Sequence, residues 1–259
     1  MIRNLQIEWM KIKNYRVFQV FSVLYMLGIL VIIYMFYRIY TQLTGRLTGQ
    51  DNQDLFQLFS SDNIWRTVAF STGFLLYLPG MVIIMLFINE VNFKTHRQNI
   101  IDGWKRETFI YTKIGLIFCI SLVVTIMNIF ATLLMCLVTK TTFSIVDGLD
   151  MLGFVFIQSF VYMMLALLFA TFFRRSGVAV IVYLVYGLLL EFLLMLLLWK
   201  IFPGAQHFLP LQVADALITP DLEGPFGNKP LLFVSLISAL SFAAIYIFLA
   251  VRKYKYDDL

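Results

Sequence analysis

One carboxylate stands where carboxylates are costly. Glu191 lies thirteen residues into the apolar run Val178–Trp199, ~20 Å along a helix from one end and ~12 Å from the other. An acid at that depth faces protein or a water-filled cavity rather than lipid. Two roles suit it: a proton-sensitive lining residue of a substrate path, or a buried hydrogen-bonding anchor between helices. Gln158 and Asn128, on neighbouring apolar runs, are the candidate partners for the anchor. Gly187, four residues before Glu191, lies on the same face and permits close helix approach.

Little else in the chain has catalytic form. No G-x-x-x-x-G-K-[ST] phosphate loop occurs, so ATP is not bound by that route, and there is no G-x-S-x-G elbow. His96 and His207 are the only histidines and fall on opposite sides of the membrane in the span assignment below, which argues against a zinc site. Cys119 and Cys136 share one apolar run. As helix residues they sit ~25 Å apart, too far for a disulfide. Arg174-Arg175 lies inside the chain in a tight loop, where it reads as an orientation anchor rather than a twin-arginine signal. The chain is expected to be non-catalytic, with no metal or cofactor of its own.

The second notable stretch is Asn89–Lys113, the one long, densely charged segment between two strongly apolar runs. Glu90 prolongs the preceding run, Asp102-Gly103 offers a turn, and Lys105–Lys113 leads helically into the next run. Ile100, Ile101 and Trp104 are apolar residues on this charged link, available to the membrane surface or to a partner's groove.

The elements that hold these residues follow from composition. Of the 259 residues 61% are hydrophobic and only 14% charged, and mean hydropathy is +0.85, outside the balance of a soluble globular chain. Six runs are long enough to cross the hydrocarbon: 17–37, 68–88, 114–138, 151–173, 178–199 and 231–251. The expected fold is an all-α integral membrane protein with a single transmembrane domain over 1–259 and no soluble domain. Residues 1–16 place Ile2, Leu5, Trp9 and Ile12 on one face, as in a helix lying in the headgroup plane. The first run lacks a short apolar core and a small-residue cleavage site, so it reads as an uncleaved signal-anchor. Pro79-Gly80 predicts a kink or local unwinding in the second run. Residues 38–67 read as a polar connection with an amphipathic second half that includes Ile64 and Trp65. In the proline-rich connection 200–230, Leu211–Ile218 reads as a short helix dipping back into the outer boundary.

Lys and Arg set the orientation. Fourteen of the twenty fall on the side holding both termini and six on the other, although the richer side has less connecting chain. The positive-inside rule then puts both termini and Asn89–Lys113 in the cytoplasm. The net charge of +5 reports orientation and anionic lipid contact. Nothing has the aromatic-plus-basic arrangement of a nucleic-acid module.

Six spans, termini inside, an amphipathic N-terminal helix, a charged helical link after the second span and a re-entrant helix before the sixth form a set. It resembles the membrane subunit of type-2 ABC exporters. In that family the link carries an acid, a Thr, two apolar residues, a turn residue, an Arg and a Lys opening the third span. Here these are Glu90, Thr95, Ile100-Ile101, Gly103, Arg106 and Lys113, with Asp102-Gly103 where many relatives have Pro; Gly ends a helix there equally well. The resemblance implies a permease of the cell (plasma or inner) membrane. It would dimerise with a second copy or a sister permease and dock a separate ATPase that holds the ATP and Mg. Asn92–Ile101 would be the coupling helix, with Glu90, Thr95, Arg97, Ile100, Ile101, Asp102, Gly103 and Arg106 as its working residues. The Arg174-Arg175 loop would be a lesser contact.

Two other readings fit the same residues. An ion-coupled secondary transporter would use Glu191 as its coupling carboxylate, although such proteins usually carry several intramembrane acids. A non-transporting membrane scaffold needs no special residues at all. The apolar spans favour a lipid-like, peptide or amphipathic drug-like cargo over a small ion.

Overall fold

The computed structural model describes residues 2–45, 60, 63–93, 106–142, 144–173, 175–219 and 230–256. Among the described residues every regular element is helical. Six helices are long and apolar enough to cross a membrane: Arg16–Gln42, Ile64–Asn92, Glu107–Thr139, Leu149–Phe172, Ser176–Ile201 and Leu232–Lys255, numbered here as spans one to six. The chain is therefore a multi-pass membrane protein. A separate N-terminal helix, Ile2–Lys13, precedes the first span, and a short helix, Gln212–Asp215, lies between the fifth and sixth.

Several helices run beyond the expected apolar runs. The first continues to Gly45, because nothing in Arg38–Thr44 breaks a helix; Tyr40 there donates to the Thr139 carbonyl at 3.2 Å and ties the first span to the third. Ile64 and Trp65, read as part of a surface connection, instead open the second span and are buried. Trp65 is held by an indole N–H donated to the Ser144 carbonyl at 3.1 Å. A buried indole needs such a partner, and the short connection after the third span supplies it.

The second span breaks where Pro79 requires. Proline has no N–H for the Leu75 carbonyl, and its ring crowds that carbonyl. The turn Phe74–Leu76 accordingly tightens to a 3-10 helix between Ile64–Gly73 and Tyr77–Asn92. Next to the break, Gly80 allows Tyr183 of the fifth span to press against the backbone; a Cβ there would collide with the phenol.

The fourth span is apolar round most of its circumference, as suits a central helix. Val161 and Met163–Leu167 are buried, and this helix packs against the second, third and sixth spans. The first span is the reverse, with Val20, Leu27, Leu30, Val31 and Tyr34 facing outward. In the fifth span the buried residues Ala179, Tyr183, Glu191 and Met195 recur every four residues, with Gly187 continuing the series. A four-residue step overshoots an α-helical turn by ~40°, so that stripe would rotate off the core. A π-helical segment at Tyr186–Leu190 absorbs the excess. It keeps Glu191 on the inner face.

Because the break at Pro79 is filled by Tyr183, Gly80→Ala should cost about 1–3 kcal/mol by overpacking. Thermal unfolding in detergent checks this, and Gly80→Ala combined with Tyr183→Phe should recover part of the loss.

Candidate functional site

Among the described residues, two constellations bring acidic side chains into the bundle. The first lies at the end that holds both termini: Lys255 of the sixth span pairs with Glu107 at the start of the third at 2.6 Å, and the rings of Tyr254 and Phe109 stack at 5.2 Å. Lys113, buried on the same turns of the third span, is gripped from two sides. Glu90, at the end of the second span, lies 2.7 Å from its ammonium. Glu8, fully buried on the N-terminal helix, is its other partner. Lys11, one turn on, bonds Glu8 at 3.0 Å and approaches Glu90 to 3.9 Å.

This cluster unites three elements. A buried lysine is tolerable only when its charge is paired and hydrogen-bonded, and here two carboxylates from different helices supply the pairing. Burial alone would raise the Glu8 carboxyl's pKa. Lys113 and its hydrogen bond, with Lys11 behind it, outweigh burial and hold that pKa below the ordinary carboxylate value. A further hydrogen bond runs from the Asn89 amide to the Tyr15 hydroxyl, so the joint between the N-terminal helix and the first span is fastened to the second span too.

The second constellation lies midway along the bundle. Glu191 is 15 residues into the fifth span, ~22 Å from its start, and is 1% exposed. Its Oε1 accepts the backbone N–H of Leu211 and that of Gln212, the latter at 2.9 Å. Those are orphan donors at the start of Gln212–Asp215, so a carboxylate twenty residues away serves as the cap of this short helix. Asp215, at its other end, accepts from Gln158 at 2.8 Å and from the Tyr162 hydroxyl at 3.0 Å. Gln158 and Tyr162 lie nine and thirteen residues into the fourth span, ~13 and ~20 Å along it. The connection between spans five and six thus reaches the middle of the bundle. Around it is a cavity of about 170 Å³ lined by residues that include Tyr77, Gln158, Tyr162, Gly187, Glu191 and Asp215. Gly187 faces Tyr77 so closely that any Cβ would strike its ring.

No family model matches the chain, and no curated protein matches it.

The residues singled out from the sequence fall in several separate places. Glu90 belongs to the ion cluster, and Glu191 and Gln158 both line the cavity, yet they are not partners: Gln158 bonds Asp215 instead. Asn128 is also elsewhere, donating to Thr72 of the second span at 2.7 Å. The expected anchor for Glu191 is therefore replaced by backbone N–H groups, which no side-chain pairing argument could find. Arg106 opens the helix of the third span, and exposed Arg175 precedes the fifth span, its carbonyl accepting the Ala179 N–H at 3.1 Å. Thr95, Arg97, Ile100, Ile101, Asp102, Gly103 and Arg174 lie outside the described residues. Glu8, Asp215 and Tyr162 were missed. Glu8 had a signal, since it stands four residues before Ile12 on the helix face assumed to be apolar; Trp9, assigned to that face, is half exposed and edge-on to Phe18. Gln158 and Tyr162, four apart, likewise marked a polar face on the fourth span.

Removing one partner of the cluster leaves a buried charge behind. Lys113→Met should cost about 3–5 kcal/mol, and adding Glu8→Gln and Glu90→Gln should restore much of it, as read by thermal unfolding. The pH dependence follows from the lowered Glu8 pKa. Its contribution is fully present above the unfolded value near pH ~4.3 and is lost as pH falls through the folded value. Acid denaturation of Glu8→Gln should consequently be shallower than that of the wild type below that pH.

Proposed function

We propose that this chain is the permease subunit of an ATP-driven exporter of the type-2 ABC class, driven through residues 89–113 by a separate ATPase. The observation that carries the reading is the Glu8–Lys113–Glu90 cluster. The described residues on either side of 94–105 end at Phe93 and resume at Arg106, and Glu90 and Lys113 join the two flanks. A force applied to the link would thus reach the second span, the third span and the N-terminal helix together.

Helix length supports the same reading. The third helix, Arg106–Thr139, has 34 residues and measures ~51 Å, against the ~30 Å hydrocarbon core of a bilayer. A rigid rod emerging from the membrane transmits displacement, which a floppy loop does not. The basic bias of the terminus-bearing end favours a cytoplasmic location for both termini and the link, in a cell membrane and against an ATPase that supplies ATP and Mg. On this reading Ile2–Lys13 rests at the interface and the Gln212–Asp215 connection is the re-entrant outer helix. The outward face of the first span is available to lipid or to a second permease.

A second reading draws on a separate observation. Two acids, Glu191 and Asp215, line one mid-depth cavity, which suits an ion-coupled carrier.

The two readings separate in reconstituted vesicles. Co-purified with its cassette ATPase, the permease should show vanadate-sensitive ATP hydrolysis. Glu90→Ala, or a disrupted Asp102-Gly103 turn, should abolish transport while hydrolysis persists. Transport by the chain alone under a proton gradient would instead establish the carrier.

A further inference from the structure

Two carboxyl groups, of Glu191 and Asp215, line the mid-depth cavity. Among the described residues that line it, none is Lys, Arg or His. Among the described residues Asp215 is held by neutral donors, the Gln158 amide and the Tyr162 hydroxyl. Glu191 uses one oxygen on backbone N–H groups; its Oε2 is buried and has no hydrogen-bond partner among the described residues. A buried acceptor left in that state is costly unless a ligand completes it.

The walls and the mouth narrow the ligand. Phe70, Phe74, Tyr77 and Phe192 contribute aromatic rings to the lining, and the face of such a ring attracts an organic cation. Phe74, Leu188 and Phe192 are exposed on the outside of the bundle. Phe74 is ten residues into the second span and Leu188 twelve into the fifth, ~15 and ~18 Å along them. At that depth the opening faces hydrocarbon or a second copy rather than water. A cavity of about 170 Å³ is comparable to the engineered ~150 Å³ cavity that holds a benzene ring. The π-helical segment that turns Glu191 inward also places Gly187 and Leu188 in the lining.

We propose that this cavity binds the cationic head of an amphiphile, a primary ammonium or an amidinium, that enters sideways from the bilayer. The head hydrogen-bonds to Glu191 Oε2 within the field of Asp215. The apolar tail lies across Phe74, Leu188 and Phe192. Binding needs no ATPase, so this proposal stands apart from the exporter reading and fails separately from it.

The test uses the full chain in phosphatidylcholine nanodiscs, with dodecylamine as probe and dodecanol as its neutral congener. Dodecylamine should raise the melting temperature in a saturable way, and dodecanol should not. Asp215→Asn and Glu191→Gln should each weaken the amine response about tenfold or more; Gln keeps one oxygen to cap Leu211 and Gln212. Leu188→Trp retains both carboxylates but obstructs the mouth, and should weaken it also, which covers the case in which Glu191→Gln fails to assemble. Equal shifts from amine and alcohol would overturn the proposal, as would a wild-type amine response in well-folded Asp215→Asn. Sodium ions alone reproducing the shift would assign the site to an inorganic cation and overturn it equally.

Discussion

The structure depends on the pairing of Lys113. This ammonium is buried where the third span meets the second span and the N-terminal helix, and each of those neighbours sends it one carboxylate. In a medium that cannot solvate charge, a lysine so placed selects its neighbours. Glu8 must face inward, which fixes the rotation of the N-terminal helix and leaves Trp9 outside. Glu90 must stay at the end of the second span, which fixes where that helix leaves the bundle. The Asn89–Tyr15 hydrogen bond then follows as a consequence of the same register. Three elements remote in sequence are joined through one cation.

The same economy governs the interior. Most polar side chains described inside the bundle have a partner there, and the partners are often backbone. Glu191 is the clearest case: a short helix that carries no cap of its own, Gln212–Asp215, takes one from the fifth span. Asp215 returns the connection to the fourth span through Gln158 and Tyr162. The helix from Ser176 to Ile201 needs its π-helical segment to present Glu191 for this role, so local backbone irregularity and the position of one carboxylate are the same fact.

The architecture was legible in the sequence because it rests on length and hydropathy, which are local. Six apolar runs, the break at Pro79, the helical entry to the third span and the short helix in the proline-rich connection before the sixth all come from chain-local chemistry. The cost of a mid-membrane acid likewise marked Glu191 before any fold was known. Its partners were illegible, since a backbone N–H carries no residue label. Asp215 was hidden because it lies in a connection rather than a span, and only tertiary folding carries it to the depth of Tyr162. Glu8 was hidden by a helical stripe drawn through Trp9, whose ring belongs to the outside. Span ends also shifted, as at Ile64 and Trp65, because hydropathy locates the hydrocarbon and not the end of a helix.

The central claim is that the second-to-third link moves as one block with the N-terminal helix. It is tested most directly by spin-label distances in the proposed complex with a cassette ATPase, with Cys119 and Cys136 replaced. Labels at Met10 and Tyr111, both exposed, report the block; labels at Tyr111 and Leu193 report its motion against the fifth span. On trapping with ATP and vanadate, the first distance should stay fixed and narrow while the second shifts. A Met10–Tyr111 distance that broadens or changes as the cycle advances would contradict the account.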